Sequence, residues 1–454
     1  MEQIKQYMQE SEYNSCIQLI NAAKAAEPII WSEIEDLPES RCIGYNDLKD
    51  NTPEFSKIAM VRLNGGLGTS MGCTGPKSVL PVQGTDTFLD IIIQQMKNIE
   101  IQHNTQVPLI LLNSFNTHEA SQEIIQKYPE CDVRCVLQSR MPRLNPDMTP
   151  VPVDNENNAE WYPPGHGDVF RSLHRAGVID SLIEEGREYI FIANVDNLGS
   201  TLNPRILGFL QKRNFEFMME TTPKSLADLK GGMPIFYRGK LKQLETAQVP
   251  KEHMPDFCSI SKFPVFNTNN LWVHLPSLKA KMDVEDLQLD IIFNPKKLEG
   301  KPILQLEQAM GAAIGCFEDS AMLVVPRTRF LPVKTSANLM LLRSSLFVND
   351  PVTGALLHNP NCQRWKNTLN PPIINLSKEF KFVNDYEKRI SSVMIEELDH
   401  LTVSGDVIIE KDAEFVGTVI IVLPTGTSLT IPKDRYANCV ITVDPFGQMC
   451  KRDL

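Results

Sequence analysis

The stretch of sequence with the clearest chemical potential is a glycine-rich loop, residues 61–78 (VRLNGGLGTSMGCTGPKS). Five glycines, at positions 65, 66, 68, 72 and 75, precede Pro76 and Lys77. A backbone with so little side-chain bulk approaches a ligand closely and turns its N–H groups towards phosphate oxygens, and Lys77 adds a full positive charge. A flexible surface turn would explain the glycines, but not a lysine behind a stiffening proline. The loop therefore predicts phosphate binding.

Two familiar phosphate-binding motifs do not fit this loop. A Walker A motif needs G-x-x-x-x-G-K-[ST], whereas Pro76 separates Lys77 from the last glycine. The glycine spacing also differs from the G-x-G-x-x-G of dinucleotide enzymes. These mismatches exclude P-loop kinases and dehydrogenases and leave another type of nucleotide-handling loop.

Two charged residues elsewhere have settings that suit phosphate chemistry. Asp196 follows the strand pattern EYIFIAN (188–194), and open α/β sheets bind ligands beyond the carboxyl ends of their strands. Its carboxylate could equally cap a turn before the next helix, and spacing alone leaves both roles open. Lys334, in FLPVKTS, would by itself be a solvated surface lysine, although its place between an apolar run and a polar turn strengthens a functional role.

Strand and helix patterns alternate from Lys57 onwards, which favours βαβ crossovers and a mostly parallel sheet with helices on both faces. The predicted strands are 58–63, 108–113, 133–138, 188–194 and 215–221. The predicted helices are 87–99, 117–128, 167–186 and 203–213.

The residue patterns at the two ends of the chain differ from the strand and helix alternation between them. Residues 1–55 show apolar side chains at i, i+3, i+4 and i+7 and predict a largely helical segment. Beyond residue 385, Val, Ile and Thr alternate with Gly and Asp, which predicts a compact coil of short strands. We expect domains at 1–55, 56–385 and 386–454.

Composition narrows the class of protein. The 454 residues are 42% hydrophobic and 22% charged, as in ordinary globular proteins. A net charge of −11 offers no electrostatic footprint for nucleic acid. The sequence has neither the apolar segment of a signal peptide nor the run of about 18 apolar residues that a membrane helix needs, so we expect a cytoplasmic protein with reduced cysteines and no membrane partner. Cys131 and Cys135 lack the second pair that a metal site needs.

Several further motifs, taken with the glycine-rich loop, resemble those of eukaryotic UTP–glucose-1-phosphate uridylyltransferases (UDP-glucose pyrophosphorylases). The motifs occur in the family's order and cover roughly residues 55–446. They are YPPGHGDVF (162–170), IANVDNLGS (192–200), KSLADLKGG (224–232), LETAQVPKEH (244–253), FNTNNLWV (266–273) and RFLPVKTSANL (329–339). The related UDP-N-acetylhexosamine pyrophosphorylases usually have a Gly-x-Gly-Thr-Arg loop, whereas Thr69 is followed here by Ser70.

The resemblance implies a fold and a reaction. The fold would be a Rossmann-like nucleotidyltransferase domain with a mixed, mostly parallel sheet, followed by a C-terminal left-handed β-helix. The reaction would be direct in-line attack of a glucose 1-phosphate oxygen on the α-phosphorus of UTP, with release of pyrophosphate. Both reactants are anions, so alignment and charge neutralisation, rather than a protein nucleophile, are the main catalytic tasks.

The resemblance also assigns the charged residues. Lys77 and Lys334 match the family's two phosphate-bracketing lysines. Asp196 matches the ligand of Mg²⁺, a hard cation that prefers carboxylate, phosphate and water oxygens.

For the nucleotide, the resemblance implies that Gln138 reads the uracil edge with one donor and one acceptor. His166 would line the phosphate or sugar and act as a binder rather than a base. The other implied nucleotide contacts, several of them through backbone atoms, are Leu63, Asn64, Gly65, Gly66, Gly165 and Asn194.

For the sugar, the resemblance places Asn267, Asn269 and Gly232 near the hexose hydroxyls, with Glu245 as a further contact. A carboxylate on a helix surface is the alternative for Glu245. Two departures from the family pattern bear on sugar selectivity: Met233 replaces a smaller polar residue, and SANL (336–339) replaces a more usual Thr-Ser-Asp-Leu.

Two alternatives to the leading function stay open. The enzyme could prefer another sugar 1-phosphate, such as galactose 1-phosphate, or the chain could be an inactive scaffold with the same fold. Retention of Lys77, Asp196 and Lys334 together argues against a scaffold. Self-association through the C-terminal segment is a further expectation.

Overall fold

The computed structural model describes residues 2–153, 158–225, 228–284, 287–351, 353–368 and 370–454. The chain folds into two compact units, each built from three stretches. Unit 1 comprises Met1–Gly66, His103–Asn194 and Leu202–Pro326, and unit 2 comprises Leu67–Gln102, Val195–Thr201 and Arg327–Leu454.

Unit 1 is organised around a sheet that has eight strands among the described residues. One strand, Val265–His274, runs antiparallel to both of its neighbours, and all the other pairings are parallel. This arrangement confirms the predicted mixed, mostly parallel sheet. In spatial order the strands are Cys42–Gly44, Ser320–Val324, Phe217–Pro223, Val265–His274, Tyr189–Asn194, Ile58–Leu63, Leu109–Asn113 and Val133–Leu137.

The central strands are mostly apolar because both faces of the sheet are covered. Five of the six residues of Ile58–Leu63 are buried, and so are five of the six residues of Tyr189–Asn194. Such continuous burial is typical of parallel strands with packing on both faces. Asn64 and Gln138 follow the parallel strands Ile58–Leu63 and Val133–Leu137, which flank Leu109–Asn113, so both residues lie at the same edge of the sheet.

The helices of unit 1 follow their local signals. Pro204–Arg213 begins after Asn203, whose side chain accepts the N–H groups of Arg205 and Ile206, and ends at Asn214 in a left-handed conformation. The single helix predicted for 167–186 is two helices, because Gly177 adopts φ +69° between them. The helices are Glu2–Lys5, Glu10–Ala25, His118–Ile125, Val169–Arg175, Val178–Glu184, Pro204–Arg213, Met254–Phe257 and Leu275–Val284.

The helical prediction for residues 1–55 was right to Ala25 and wrong beyond it. Prolines at 28 and 38 interrupt the helical pattern, and the chain continues through short 3₁₀ turns and two short strands. The domain boundaries proposed from the sequence stay a prediction.

Smaller strand groups complete unit 1. A three-stranded antiparallel sheet contains Ile34–Glu35, Met233–Tyr237 and Lys240–Leu244 among the described residues. Two antiparallel pairs join Ile291–Leu298 to Lys301–Gln308 and Met141–Pro142 to Trp161–Tyr162.

Unit 2 combines helices with two short antiparallel strand pairs. Its helices are Phe88–His103, of which the last residue belongs to unit 1, Ser336–Leu342, Arg364–Asn367 and Val383–Arg389. The strand pairs are Pro81–Gln83 with Asp86–Thr87 and Phe347–Asn349 with Leu356–His358.

The C-terminal part of unit 2 consists of stacked, mostly parallel strands, in agreement with the short strands predicted from its residue pattern. Buried side chains such as Val403, Val419 and Ile441 alternate with exposed ones and fill its core. One sheet contains Ile373–Leu376, Leu398–Ser404, Ala413–Val422, Arg435–Val443 and Met449–Asp453, with Val393–Met394 beside the third strand. Asp406–Ile409 and Ser428–Ile431 form a separate parallel pair.

Short 3₁₀ turns link these elements. They are Trp31–Glu33, Glu39–Arg41, Tyr45–Asp47, Phe55–Lys57, Gly68–Met71, Lys77–Val79, His166–Asp168, Thr246–Gln248, Lys251–His253, Met310–Cys316, Arg327–Arg329 and Lys378–Phe380. Within the described part of the chain, no helix combines the length and the apolar character needed to cross a membrane.

Candidate active site

Unit 2 brings the three predicted charged residues into direct contact. The Lys77 ammonium group lies 2.6 Å from Asp196 Oδ2, and the Lys334 ammonium group lies 2.7 Å from the same oxygen. Lys77 also donates to the carbonyl of Val333. Two cations therefore share one carboxylate oxygen.

Burial differs across this charged cluster. Asp196 is 4% exposed and the Lys77 side chain 12%, whereas the Lys334 side chain is 60% exposed. Burial by itself would raise the pKa of Asp196, but the nearby ammonium groups of Lys334 and Lys77 outweigh it and hold that pKa below its usual value. Burial lowers the pKa of Lys77, and the attraction of Asp196 offsets this only in part.

The sequence around Lys334 explains how that lysine is held. Thr335 caps the helix Ser336–Leu342, and the side chain of Asn338 accepts hydrogen bonds from the backbone N–H groups of Thr335 and Lys334. Asn338 belongs to SANL, one of the two departures from the family pattern, and acts here as the third residue of a capping box.

Residues 67–78 of the glycine-rich loop, which belong to unit 2, form a closed turn. Leu67 bridges Pro76, Gly68 N–H donates to the Gly75 carbonyl and Cys73 N–H donates to the Gly68 carbonyl. These N–H groups bond within the loop instead of facing outwards, contrary to the simple expectation from the glycines. The closed loop leads into the turn Lys77–Val79, and in this way it positions Lys77.

In unit 1, Gln138 connects two of the predicted nucleotide-binding loops. Its side-chain N–H donates to the Gly165 carbonyl at 3.2 Å, and its Oε1 lies against Gly65, where an added Cβ would be 2.9 Å away. Gly65 in turn accepts a hydrogen bond from the Ser114 hydroxyl. The structure therefore brings Gly65, Gln138 and Gly165 together.

Asn64 is fully buried, and its amide donates to Asn113 Oδ1 and to the Ser121 hydroxyl. This side chain fixes the loop, which is consistent with a ligand contact through the backbone. Leu63 and Asn194 end neighbouring strands opposite one another. Among the residues that the structure describes, none has an atom within 4 Å of a Cβ added at Gly66.

The loop that carries Gly165 and His166 packs tightly against Gln308. Gly165 has φ +88°, and an added Cβ would lie 2.5 Å from the Gln308 carbonyl, so only glycine fits. His166 Nδ1 accepts the backbone N–H of Met310 at 3.1 Å. In that tautomer Nε2 carries the proton and is a donor, which suits a binding role.

The four predicted sugar residues of unit 1 form one cluster. Asn267 N–H donates to the Gly232 carbonyl, and the Asn267 side chain donates to Asn269 Oδ1. A Cβ on Gly232 would come within 2.6 Å of both carboxylate oxygens of Glu245, so glycine is required for this close approach. Residues 226 and 227 of the same motif lie outside the described residues.

Glu245 is not on a helix surface. It precedes the turn Thr246–Gln248, and its backbone N–H donates to the side chain of Gln248 at 2.8 Å. Burial raises the pKa of its carboxyl, and a hydrogen bond from Gln243 reduces the effect. A half-buried carboxyl of this kind suits hydrogen bonding to hydroxyl groups.

Comparison with known proteins decides the family. A family model described as UTP–glucose-1-phosphate uridylyltransferase matches residues 11–415. The chain is 45% identical over 427 residues to UTP–glucose-1-phosphate uridylyltransferase 2 of Dictyostelium discoideum, covering 91% of this chain and 84% of the relative. The identity to the UTP–glucose-1-phosphate uridylyltransferase of Hordeum vulgare is 44%, with coverages of 90% and 87%.

The chain belongs to the UTP–glucose-1-phosphate uridylyltransferase family. Solved structures agree. A UDP-glucose phosphorylase from Trypanosoma brucei matches with a TM-score of 0.85, 32% identity and 98% coverage of both chains. A UDP-glucose pyrophosphorylase mutant from Leishmania major, solved in complex with UDP-glucose, matches with a TM-score of 0.86, 29% identity and coverages of 97% and 98%. The family predicted from the motifs is confirmed.

Within this uridylyltransferase, sequence reasoning missed two residues of the sugar cluster. Gln243 is buried beside Gly232, and Gly311 lies so close to Asn267 that an added Cβ would be 2.7 Å from its side-chain nitrogen. Strand alternation could have indicated Gln243, which lies two residues before Glu245 and on the same face. No local signal indicated Gly311.

Met233, the other departure from the family pattern, is fully buried. It packs with Ile235, Leu244, Val249 and Phe257 in a hydrophobic cluster of unit 1. Its larger side chain therefore contributes to packing.

The donor set around Asp196 fits a magnesium ion. Asp196 Oδ2 holds both lysines, while Oδ1 is buried and has no hydrogen-bond partner among the described residues. The described residues contain no group of three or more Cys, His, Asp or Glu side chains that could hold a metal. Mg²⁺ commonly takes one or two carboxylates and completes its shell with phosphates and water, so a single orphaned oxygen suffices.

Proposed function

We propose that this uridylyltransferase makes UDP-glucose and pyrophosphate from UTP and glucose 1-phosphate, by direct in-line attack of a sugar phosphate oxygen on the α-phosphorus. The observation that supports this most is the contact of Lys77 and Lys334 with one oxygen of Asp196. Incoming phosphates compete with that carboxylate for the two ammonium groups. The charges are therefore already gathered before the reactants arrive.

Each residue has a task that follows from its chemistry. Lys77 and Lys334 neutralise charge that grows on phosphate oxygens as the new bond forms. Gln138 reads the uracil edge, and the backbone around Gly65 and Gly165 holds the nucleotide. The Asn267, Asn269, Gly232 and Glu245 cluster orients the sugar.

Asp196 would hold Mg²⁺ through its orphaned Oδ1. When bound, the ion supplies Lewis-acid neutralisation of phosphate charge. The remaining catalytic effect lies in charge neutralisation by the lysines and in alignment of the reactants, which requires no protein nucleophile.

Two architectural features belong to the same proposal. The stacked parallel strands from Leu398 to Val443 support a left-handed β-helix, with a domain at 386–454 after the catalytic domain 56–385 and the segment 1–55. Exposed apolar side chains in this region, among them Phe446, Met394 and Ile408, are consistent with self-association. A cytoplasmic location stays a prediction from the sequence.

The experiment that tests the proposed function measures pyrophosphate release and identifies the nucleotide sugar formed. We expect rapid turnover of UTP with glucose 1-phosphate and Mg²⁺, and much slower use of ATP, dTTP or galactose 1-phosphate. A preference for ATP under matched conditions would contradict the role of Gln138. A preference for galactose 1-phosphate would contradict the assigned sugar.

A further inference from the structure

The strand that carries Asn267 and Asn269 is irregular at the sugar cluster. Val265–His274 pairs with Phe217–Pro223, and the register shifts between Glu220 and its neighbour Thr221. Glu220 lies opposite Asn270 and Thr221 lies opposite Asn267, so two extra residues bulge between these pairs. Asn269, the second of them, has φ +58°, a conformation that costs free energy for any residue with a side chain.

A buried glutamate contacts this bulge and the residues that follow it. Glu220 is fully buried, and its Oε2 accepts the Asn270 side-chain N–H at 2.9 Å. Its Oε1 accepts the Trp272 indole N–H at 2.9 Å, and its backbone carbonyl accepts the Thr268 hydroxyl at 2.9 Å. One residue thus binds Thr268 inside the bulge and two side chains immediately after it.

These contacts determine where the asparagines of the sugar cluster lie. The backbone N–H of Asn269 donates to Asn267 Oδ1 at 2.8 Å, and Asn267 Nδ2 donates to Asn269 Oδ1 at 3.1 Å. The backbone N–H of Asn267 donates to the Gly232 carbonyl at 2.9 Å. The paired amides therefore keep their arrangement only while the bulge keeps its shape.

Packing does not by itself account for a carboxylate at this position. A buried carboxylate has a large desolvation cost, and hydrophobic residues of similar volume are often as stable or more so in such places. A hydrophobic residue would provide no acceptors for the side-chain N–H groups of Asn270 and Trp272, which lie at successive positions on one face of the strand. We propose that Glu220 is a positioning residue for sugar 1-phosphate recognition, fixing the bulge that presents Asn267 and Asn269; this rests on the proposed role of those asparagines.

The test compares Glu220→Ala and Glu220→Gln with the parent enzyme. Alanine leaves the Asn270 and Trp272 donors buried without the carboxylate, so the bulge relaxes. Glutamine keeps an acceptor for the indole, and the Asn270 amide can turn to accept from the new amide group. We expect Glu220→Ala to raise the KM for glucose 1-phosphate about tenfold or more, with the KM for UTP within about twofold, and Glu220→Gln to recover most of the loss.

Two further variants keep the test decisive. Thr268→Val is nearly isosteric and removes only the hydroxyl that bonds the Glu220 carbonyl, so it serves if Glu220→Ala does not fold. We expect it to raise the same KM by a smaller factor. Tyr189→Phe is the control, because Tyr189 lies in the same sheet and its buried hydroxyl donates to the Leu210 carbonyl of the helix Pro204–Arg213 and not to the bulge. It should leave both KM values unchanged.

Asn267→Ala separates failure of this inference from failure of the sugar assignment. If Asn267→Ala raises the KM for glucose 1-phosphate but Glu220→Ala and Thr268→Val do not, the positioning role is wrong and the sugar site stands. If Asn267→Ala has no effect either, the sugar assignment and the inference both fail. Equal changes in the two KM values, or a loss of stability alone, would reduce Glu220 to a structural residue.

Discussion

Replacing Asp196 with asparagine tests the centre of the proposed mechanism. Asparagine is nearly isosteric with aspartate but is neutral and a poor ligand for Mg²⁺. In the structure, Oδ2 of Asp196 accepts from two ammonium groups while Oδ1 is buried without a partner among the described residues. The substitution therefore removes the charge that balances Lys77 and Lys334, and it leaves a single oxygen, which can serve the lysines or a metal but not both.

The stability loss can be estimated from these contacts. Removing one partner of a buried ion pair costs about 3–5 kcal/mol. The lower end applies, because the Lys334 side chain is 60% exposed and rehydrates, whereas Lys77 stays buried. A loss of about 3 kcal/mol corresponds to a fall in Tm of roughly 6–12 °C for a unit of this size. If Asp196 merely capped a turn, the substitution would change stability very little, because asparagine caps about as well as aspartate.

The catalytic loss should be larger than the stability loss suggests. A metal ion contributes several kcal/mol to neutralising phosphate charge, so we expect kcat to fall roughly 10³-fold, equivalent to about 4 kcal/mol. The Mg²⁺ concentration for half-maximal rate should rise by about tenfold or more. Both quantities are measured from pyrophosphate release across a Mg²⁺ titration, at a temperature below the unfolding transition of each protein.

The matched control is Asp406→Asn. It makes the same charge change in unit 2 and breaks the 2.9 Å contact between Arg389 and Asp406, which is partly exposed. Such pairs contribute about 1 kcal/mol or less, so activity and Mg²⁺ requirement should be unchanged. An Asp196→Asn enzyme with the parent's Mg²⁺ requirement would refute metal ligation, even with a lowered rate, and leave Asp196 as the group that orders the lysines.

Three further predictions test neighbouring parts of the site. Lys334→Ala should lower kcat by several orders of magnitude, since this lysine acts mainly on charge that grows in the transition state. The Tm should change little, because the side chain is exposed. A change in KM alone would refute the catalytic role. Because the pKa of Lys77 is lowered from 10.5, kcat/KM for UTP should fall with rising pH through a value below 10.5, and Lys77→Arg should move that fall to higher pH; an unmoved fall would assign it to another group. Between the lowered pKa and 10.5, the unfolded chain binds more protons at Lys77 than the folded chain does. The contribution of Lys77 to stability therefore rises with pH, so unfolding caused by titration of Lys77 does not explain a loss of rate in this window. Gly232→Ala should raise the KM for glucose 1-phosphate and destabilise by about 1–3 kcal/mol, because its Cβ would press on the Glu245 carboxylate; unchanged kinetics would show that this contact does not serve the sugar.

Local pattern was sufficient to predict most elements of the central sheet. Ile58–Leu63 and Tyr189–Asn194 are mostly apolar runs, and Pro204–Arg213 is preceded by its N-cap, Asn203. These signals reside in neighbouring residues and survive without tertiary context. Failures occurred where one residue overrode the pattern, as Gly177 did within the predicted helix 167–186.

The sequence alone did not predict the direction or the bulge of the antiparallel strand Val265–His274. Its direction and its bulge depend on pairing with Phe217–Pro223, which is more than forty positions away in the chain. The same is true of the Glu220 contacts, because a glutamate in an apolar strand has no local feature that shows which donors will meet it.

The sequence by itself determined which chemical groups this uridylyltransferase has: the glycine-rich loop, the paired asparagines, Lys77, Asp196 and Lys334. Tertiary structure alone decided how they are used. It placed both ammonium groups on one oxygen of Asp196, left the other oxygen without a hydrogen-bond partner among the described residues, and set Gly232 against Glu245. The physical reason is that charge, hydrogen-bonding capacity and local conformational preference belong to residue types, whereas burial and contact depend on distances between segments far apart in the chain.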